Sequence, residues 1–214
     1  MHIVITGANR GIGAAMAAQY RADGHSVTGT ARDASCDAVL DVTQPDQQAA
    51  LALDLAGKPV DLLVCNAGVF LDKGEQLGTG YNPDMWAKTF AANVTGVFLT
   101  IQNLLPLLKV SNTPKIAIIS SQMASDAQAP GGSYIYRASK AAALNLGRNL
   151  ATDLKPEGIA IGIYHPGWVQ TDMGGNSADI TVDQAAEGLI QRFEALSLET
   201  TGCFETWDGR TLPF

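Results

Sequence analysis

The stretch that decides the fold lies near the start of the chain, where His2–Thr6 (HIVIT) leads into Gly7-Ala8-Asn9-Arg10-Gly11-Ile12-Gly13. His2–Thr6 predicts a short strand, and the Ala- and Met-containing residues 11–23 predict a helix. Glycines between a strand and a helix permit a tight turn and a close approach of the backbone to a bound group. The free N–H groups at the start of such a helix bind phosphates. A plain structural turn is the alternative, but the order of strand, turn and helix favours a pyrophosphate cradle formed by Gly7, Asn9, Arg10, Gly11, Ile12 and Gly13.

The same order of strand and helix recurs along the chain. Apolar strands are predicted at residues 26–31, 60–65, 115–120 and 159–164, with a last short strand at 202–205. Helices are predicted at residues 45–55, Pro83–Leu108, Tyr134–Leu154 and 182–196. Near-continuous apolar strands separated by helices are typical of a parallel sheet covered on both faces. We therefore predict one doubly wound α/β domain over residues 1–214, with polar, Gly-rich loops at 71–81 and 174–180.

Composition narrows the class of protein further. The chain is 46% hydrophobic and 16% charged, which excludes a disordered protein, and its net charge of -7 disfavours nucleic acids and anionic membranes as partners. Cys36, Cys65 and Cys203 are far apart and show no metal-ligand spacing, so we expect reduced thiols and no metal. We find no signal peptide and no run approaching the roughly twenty apolar residues of a membrane span. The expected location is the cytoplasm.

The spacing of the glycine turn, T-G-x-x-x-G-I-G, resembles that of the short-chain dehydrogenase/reductase family. Further motifs of that family follow in order along almost the whole chain: Asp41-Val42, Asn66-Ala67-Gly68, Asn93-Val94-Thr95-Gly96, Ser120-Ser121, Tyr136-x-x-x-Lys140, Pro166-Gly167 and Thr171. Residues 165–175 and 208–214 also resemble a small branch that includes C-factor-like proteins and related carbonyl reductases.

The resemblance implies a Rossmann fold that binds NAD(P). Asp41 and Val42 would lie near the adenine. The cofactor-binding set would continue with Asn66, Ala67, Gly68, Tyr136 and Lys140, and the nicotinamide would be covered by Pro166, Gly167, Val169 and Thr171.

The residues at the end of the second strand indicate whether a protein of this kind binds NADP(H) or NAD(H). NAD enzymes usually place an acidic residue there, which bonds the ribose 2′-hydroxyl, whereas an Arg nearby accommodates a 2′-phosphate. Here the strand ends at Ala31 and Arg32 follows, while Arg10 lies in the glycine turn. Two guanidinium groups on one phosphate would form charge-assisted bonds, so we predict NADP(H). The alternative is that Asp33 binds the ribose of NAD(H).

The predicted catalytic residues are Asn93, Ser121, Tyr136 and Lys140. Tyr136 and Lys140 are four residues apart on a predicted helix and so share a face, where an ammonium group favours the phenolate and lowers its pKa. The resemblance implies that Tyr136 exchanges a proton with the substrate oxygen and that Lys140 also bonds the nicotinamide ribose. Ser121 would stabilise charge on that oxygen. Asn93 would anchor a water that relays protons, and it can also kink its helix.

Several assignments compete with these. Ser120 is the alternative to Ser121 as the catalytic serine. Tyr134 is a weaker candidate than Tyr136, because the residue four positions later, Ala138, could not activate it. His165 is interpreted as a packed residue, because no carboxylate neighbour is evident to orient it. Candidate walls of a small, open substrate pocket are Phe70, Met123, Trp168 and Met173.

The predicted activity is reversible, NADPH-dependent reduction of a hydrophobic aldehyde or ketone. A nucleotide-binding regulatory protein with little turnover is the alternative from another class, since a fold does not fix a role. Epimerases and dehydratases of the extended relatives usually show T-G-x-x-G-x-x-G and a longer C-terminal domain, neither of which occurs here. The long helices resemble those that pair in family members, so we expect a homodimer or homotetramer.

Overall fold

A seven-stranded, all-parallel sheet forms the centre of the computed structural model, which describes residues 1–214. In spatial order its strands are β3, β2, β1, β4, β5, β6 and β7. Their bounds are β1 His2–Thr6, β2 Ser26–Ala31, β3 Ala38–Val39, β4 Leu62–Cys65, β5 Lys115–Ile119, β6 Ala160–His165 and β7 Phe204–Thr206. The strand order reverses between β1 and β4, which opens a crevice at the carboxyl ends of the strands.

Helices cover both faces of this sheet: α1 Gly11–Ala22, α2 Pro45–Asp54, α3 Pro83–Phe90, α4 Gly96–Leu108, α5 Tyr134–Leu154 and α6 Val182–Ala195. Side chains of α2, α4 and α5 pack on one face in the larger apolar core, and those of α1 and α6 pack on the other. The predicted doubly wound α/β architecture is confirmed. Side chains cap two of these helices: Asn82 accepts from the Met85 N–H at the start of α3, and Thr181 accepts from the Gln184 N–H at the start of α6.

Several strands and helices begin or end one or two residues away from their predicted bounds. The structure also contains β3, a strand that the sequence analysis missed. β3 is only two residues long and lies at an exposed edge, so no apolar run marks it. β4 begins at Leu62 rather than at residue 60, because the Val60 N–H donates to Leu107 outside the sheet. β7 begins at Phe204 because Gly202 adopts a positive φ of 83° in the preceding turn.

The segment Pro83–Leu108, predicted as one helix, is continuous but contains a π-helical turn at Ala91–Thr95. Such a turn inserts an extra residue into the helix and is frequent at functional sites. Asn93 lies at its centre with a side chain that is 1% exposed. The insertion directs this amide toward the carboxyl edge of β4.

The same segment corrects the expectation that no run of the chain approaches the length and apolar composition of a membrane span. Pro83–Leu108 is long enough, and apolar enough over its most apolar window, to cross a membrane by length and composition. Half of that window is buried within the domain, and the Gln48 side chain of α2 donates to Thr100 Oγ1 at 2.9 Å. These contacts make it a helix of the domain core.

Gly13 provides a test of the tight turn between β1 and α1. A Cβ at this position would lie 2.3 Å from the Gly7 carbonyl oxygen and 2.6 Å from Asn66 Nδ2. Gly13→Ala should therefore lower the free energy of unfolding by roughly 1–3 kcal/mol in urea denaturation, as overpacking does. The control is Gly78→Ala, where an added Cβ meets nothing within 4 Å. Equal stabilities of the two variants would contradict the close approach.

Candidate active site

A cleft of about 800 Å³ runs along the carboxyl edge of the sheet. It is lined by residues that follow β1, β2, β4, β5 and β6, as expected for a crevice at the point where strand order reverses. The structure brings these predicted cofactor residues to it: Gly7, Asn9, Arg10, Gly11, Ile12, Gly13, Arg32, Asp41, Val42, Asn66, Ala67, Gly68, Tyr136, Lys140, Pro166 and Thr171. Gly167 and Val169 do not line it; Val169 is buried and pairs with Ile180.

The glycine turn forms one end of the cleft. Gly7 and Gly11 have positive φ values of 66° and 53°, and the Asn66 amide donates to the carbonyls of Thr6 at 2.9 Å and Gly7 at 3.0 Å. Helix α1 has no side-chain cap and no acidic residue in its first turn. Its free N–H groups and positive dipole end are thus available to an anion, which fits the pyrophosphate of a dinucleotide.

Two arginines, Arg10 and Arg32, line the cleft. β2 ends at the buried Ala31, so the side chain at the strand end is a methyl and Arg32 is the first residue beyond it. Asp33 accepts hydrogen bonds from Ser35, and these bonds hold its pKa below the usual range. Arg10 forms an exposed ion pair with Asp172, which follows Thr171 on the other side of the cleft.

Tyr136 and Lys140 lie on the first turns of α5, both largely buried. Lys140 Nζ donates to the Ile119 carbonyl at 2.9 Å and lies 5.6 Å from the centre of the Tyr136 ring. Burial lowers the pKa of Lys140 to about 8 and raises that of Tyr136 to about 12. Desolvation of the phenolate is the main cause of this rise, so the expected lowering of the tyrosine pKa by the ammonium group is not observed. At neutral pH the phenol carries its proton.

The two serines that follow β5, Ser120 and Ser121, have different hydrogen-bond partners. The Ser120 hydroxyl donates to the Lys140 carbonyl at 3.0 Å, which fixes it against α5 although the residue borders the cleft. Ser121 Oγ accepts from the Met123 N–H at 3.1 Å, so its own proton stays free to donate. Ser121 is buried and, unlike Ser120, does not line the cleft; its hydroxyl lowers the pKa of Tyr136, which opposes part of the rise caused by burial.

Asn93 joins three parts of the site. Its Oδ1 accepts from the Val69 N–H at 2.8 Å, and its Nδ2 donates to the Val69 carbonyl at 2.9 Å and to Ser139 Oγ at 3.0 Å. A Cβ on Gly68 would lie 3.1 Å from Asn93 Oδ1 and 3.4 Å from Lys140 Nζ. The asparagine thus borders the cleft behind Gly68 rather than lining it.

The segment after Val69 contains residues that the sequence analysis missed. The Asp72 carboxylate is fully buried and accepts from N–H groups at the start of α5, although residues 71–81 were predicted to be a polar rim loop. Phe70, predicted as a pocket wall, stacks on the Tyr136 ring with centroids 4.1 Å apart. Lys73 Nζ donates to the Met173 carbonyl at 3.1 Å. An acidic residue directly after the apolar stretch VFL was the available signal.

The other candidates are placed as follows. Met173 lines the cleft, whereas Trp168 is 46% exposed and donates its indole N–H to the Gly174 carbonyl. Tyr134 packs edge-on against Tyr81. Met123 is half-buried and does not line the cleft.

Residues 1–180 match the sequence profile of the short chain dehydrogenase family, a range that includes the family motifs from the glycine turn to Thr171 but not residues 208–214. This chain belongs to the short-chain dehydrogenase/reductase family.

Relatives of this short-chain dehydrogenase/reductase include the C-signal protein of Myxococcus xanthus, which is 37% identical over 166 residues, 77% of this chain and 99% of the relative. The 1-hydroxy-2-glutathionyl-2-methyl-3-butene dehydrogenase of Rhodococcus sp. (strain AD45) is 33% identical over 98% of both chains. Among solved structures, the NADPH-bound carbonyl reductase from chicken fatty liver has a TM-score of 0.90 at 29% identity, covering 100% of this chain and 98% of the other. The carbonyl reductase Sniffer of D. melanogaster has a TM-score of 0.93 at 26% identity, covering 100% and 99%. The resemblance to C-factor-like proteins and carbonyl reductases is confirmed.

His165 gives this short-chain dehydrogenase/reductase a predictable acid sensitivity. It ends β6 with 8% of its surface exposed and with no partner for Nδ1, and burial, assisted by Arg210, lowers its pKa to about 4. Because an unfolded chain has a histidine pKa near 6.5, protons favour unfolding as the pH falls through this window. The free energy of unfolding should drop by roughly 3 kcal/mol between pH 7 and pH 4 on this account.

Urea denaturation at a series of pH values measures this loss. His165→Gln should remove most of the slope, whereas His25→Gln, on the turn before β2, should keep it. An unchanged slope in His165→Gln would mean that other groups cause the acid sensitivity.

Proposed function

We propose that this protein is an NADPH-dependent carbonyl reductase that converts an aldehyde or ketone to an alcohol, reversibly. The observation that carries the proposal is the placement of Tyr136 and Lys140 in the same cleft as the uncapped glycine turn. A dinucleotide whose pyrophosphate lies at that turn would extend along the cleft toward the tyrosine. The similarity to two carbonyl reductases of known structure supports this reaction class.

Tyr136 and Ser121 have different roles in the proposed reaction. When bound, the reduced nicotinamide supplies a hydride to the carbonyl carbon. Tyr136 donates its phenolic proton to the carbonyl oxygen, and its raised pKa keeps that proton in place at neutral pH. Ser121 donates its free hydroxyl proton to the same oxygen and stabilises the charge that develops there.

Lys140 and Asn93 restore the proton that Tyr136 gives up. With a pKa lowered to about 8, Lys140 can release a proton near neutral pH, and it would also hold the nicotinamide ribose. Asn93 keeps the Val69 backbone and Ser139 in place beside the ammonium group. We assign it the anchoring of a water through which Lys140 exchanges protons with solvent.

Preference for NADP(H) rests on the end of β2. Ala31 offers no carboxylate to a ribose 2′-hydroxyl, whereas Arg32 and Arg10 place two guanidinium groups at the cleft. A bound 2′-phosphate would compete with Asp172 for Arg10. NADPH in the chicken carbonyl reductase is consistent with this assignment.

The substrate that suits this site is a small, apolar carbonyl compound. Phe70 stacked on Tyr136, together with Met173 and Leu71 at the cleft, provides an apolar surface near the phenol. We place the enzyme in the cytoplasm as a homo-oligomer that pairs through its long helices. Light scattering that finds only monomers would reject the oligomer.

A regulatory, nucleotide-binding role is the second candidate, and the similarity to the C-signal protein favours it. It needs cofactor binding but no turnover. The presence of Tyr136, Lys140, Ser121 and Asn93 together supports the enzyme instead, because binding alone has no use for a proton donor.

The reductase is tested by following NADPH absorbance against a panel of small aldehydes and ketones. Tyr136→Phe keeps the ring that stacks on Phe70 but removes the proton, so kcat should fall by roughly 10³-fold. Tyr134→Phe is the matched control, since it removes a hydroxyl two residues away on the same helix. Tight NADPH binding without turnover in the unmodified protein would favour the regulatory role.

Cofactor preference is tested by Arg32→Gln and Arg10→Gln. Each loses a charge-assisted bond to the 2′-phosphate, so KM for NADPH should rise by roughly 10- to 100-fold. NADH serves as the internal control, because it lacks that phosphate and its KM should not change. An equal rise for both cofactors would place the two arginines elsewhere on the dinucleotide.

A further inference from the structure

Asp72 is a buried carboxylate that the proposed reaction does not use directly. It is 0% exposed, and its oxygens accept from the Ile135 N–H at 2.8 Å and from the Tyr136 N–H at 3.2 and 3.3 Å. None of the four ion pairs of the protein includes it. Its binding partners are therefore the backbone donors at the start of α5.

Helix α5 has no cap of its own. Ser133 precedes it with a positive φ of 48° and no side-chain bond to the helix, and Gly131 and Gly132 before it also have positive φ values. Side chains that accept from the second and third N–H groups of a helix normally stand directly before it. Here that acceptor comes from 63 and 64 positions earlier in the chain, where its negative charge also meets the positive end of the helix dipole.

The neighbours of Asp72 contact the same tyrosine and the far wall of the cleft. Phe70 stacks on the Tyr136 ring with an interplanar angle of 19°, and Lys73 holds the Met173 carbonyl. Val69, at the start of this segment, is fixed by Asn93. Residues 69–73 thus hold Tyr136 twice, by its backbone N–H through Asp72 and by its ring through Phe70.

We propose that Asp72 is a positioning residue for catalysis, which fixes the backbone of Tyr136 at the start of α5 and so places the phenol hydroxyl for proton transfer. The inference rests on the proposed role of Tyr136 as proton donor. It gives the 69–73 segment a function in the reaction beyond shaping the rim of the cleft.

The negative charge of Asp72 also affects the pKa of Tyr136. The charged groups that face Tyr136 are Lys140 on the same helix and Asp72 on the packed segment; Phe70 and Ser121 are neutral. Burial is the main cause of the raised Tyr136 pKa, and the negative charge of Asp72 raises it further. Removal of that charge should therefore lower the pKa of the phenol.

Two substitutions separate the charge from the hydrogen bonds. Asp72→Asn keeps an oxygen that accepts from α5 but removes the charge, and Asp72→Ala removes both. Asp183→Asn is the matched control, since Asp183 is an exposed acid in the first turn of another helix, α6, and does not line the cleft. Tyr136 is titrated by NMR of ring-labelled tyrosine, assigned by the loss of its signal in Tyr136→Phe, and kcat and KM are measured against pH.

Asp72→Asn should shift the Tyr136 titration, and the loss of kcat that accompanies deprotonation of the phenol, downward by roughly 0.5–1 pH unit while retaining most of kcat at neutral pH. Asp72→Ala should lower kcat by roughly 10- to 100-fold with little change in KM for NADPH, because the phenol is misplaced rather than the cofactor. Asp183→Asn should match the unmodified protein in both measurements.

The outcomes distinguish this inference from the proposed function. An active enzyme whose Asp72→Asn variant titrates unchanged, and whose folded Asp72→Ala variant keeps full kcat, would overturn the positioning role alone. If Asp72→Ala does not fold, an unchanged titration and pH profile in Asp72→Asn would overturn it. A shifted Tyr136 titration in a protein without turnover on any carbonyl would reject the reductase and support the coupling of Asp72 to Tyr136.

Discussion

One buried amide, that of Asn93, holds together the parts from which the active site is built. Its three hydrogen bonds join the π-helical turn to the backbone after β4 and to Ser139 on α5. The π-helical turn inserts an extra residue into the helix at the position of this amide. The position of Gly68 between Asn93 and Lys140 depends on it, and so does the segment that carries Phe70 and Asp72. The cleft wall and the start of α5 are therefore fixed by the same buried side chain.

Burial changes the pKa values of Tyr136 and Lys140 more than the interaction between the two side chains does. Both Tyr136 and Lys140 are removed from water, which disfavours their charged forms and moves their pKa values apart, to about 12 and about 8. A protonated phenol beside an amine that releases its proton readily is suited to the reduction of a carbonyl, in which the enzyme must supply one proton per turnover.

The fold and most of the cofactor cleft could be predicted from the sequence because both depend on local patterns. The glycine turn, the apolar strands and the Tyr136 to Lys140 spacing are each readable within a few residues, and nearly all of the predicted cofactor residues line the cleft. Contacts between distant segments were not predictable in this way. Asp72 caps a helix that begins more than sixty positions later, and no local pattern links an acidic loop residue to a helix lacking its own cap. The raised pKa of Tyr136 was missed for a related reason, because desolvation depends on how completely the fold buries the phenol.

The central claim is that the cleft brings a reduced nicotinamide and a carbonyl carbon together for hydride transfer. It is tested most directly by incubating the protein with 4-deuterated NADPH, in its two stereochemical forms separately, and an aldehyde, followed by mass spectrometry and NMR of the product. The account predicts an alcohol that carries deuterium on its carbinol carbon from one of the two forms and none from the other. A product without deuterium from either form, or an aldehyde left unchanged while the cofactor is bound, would contradict it.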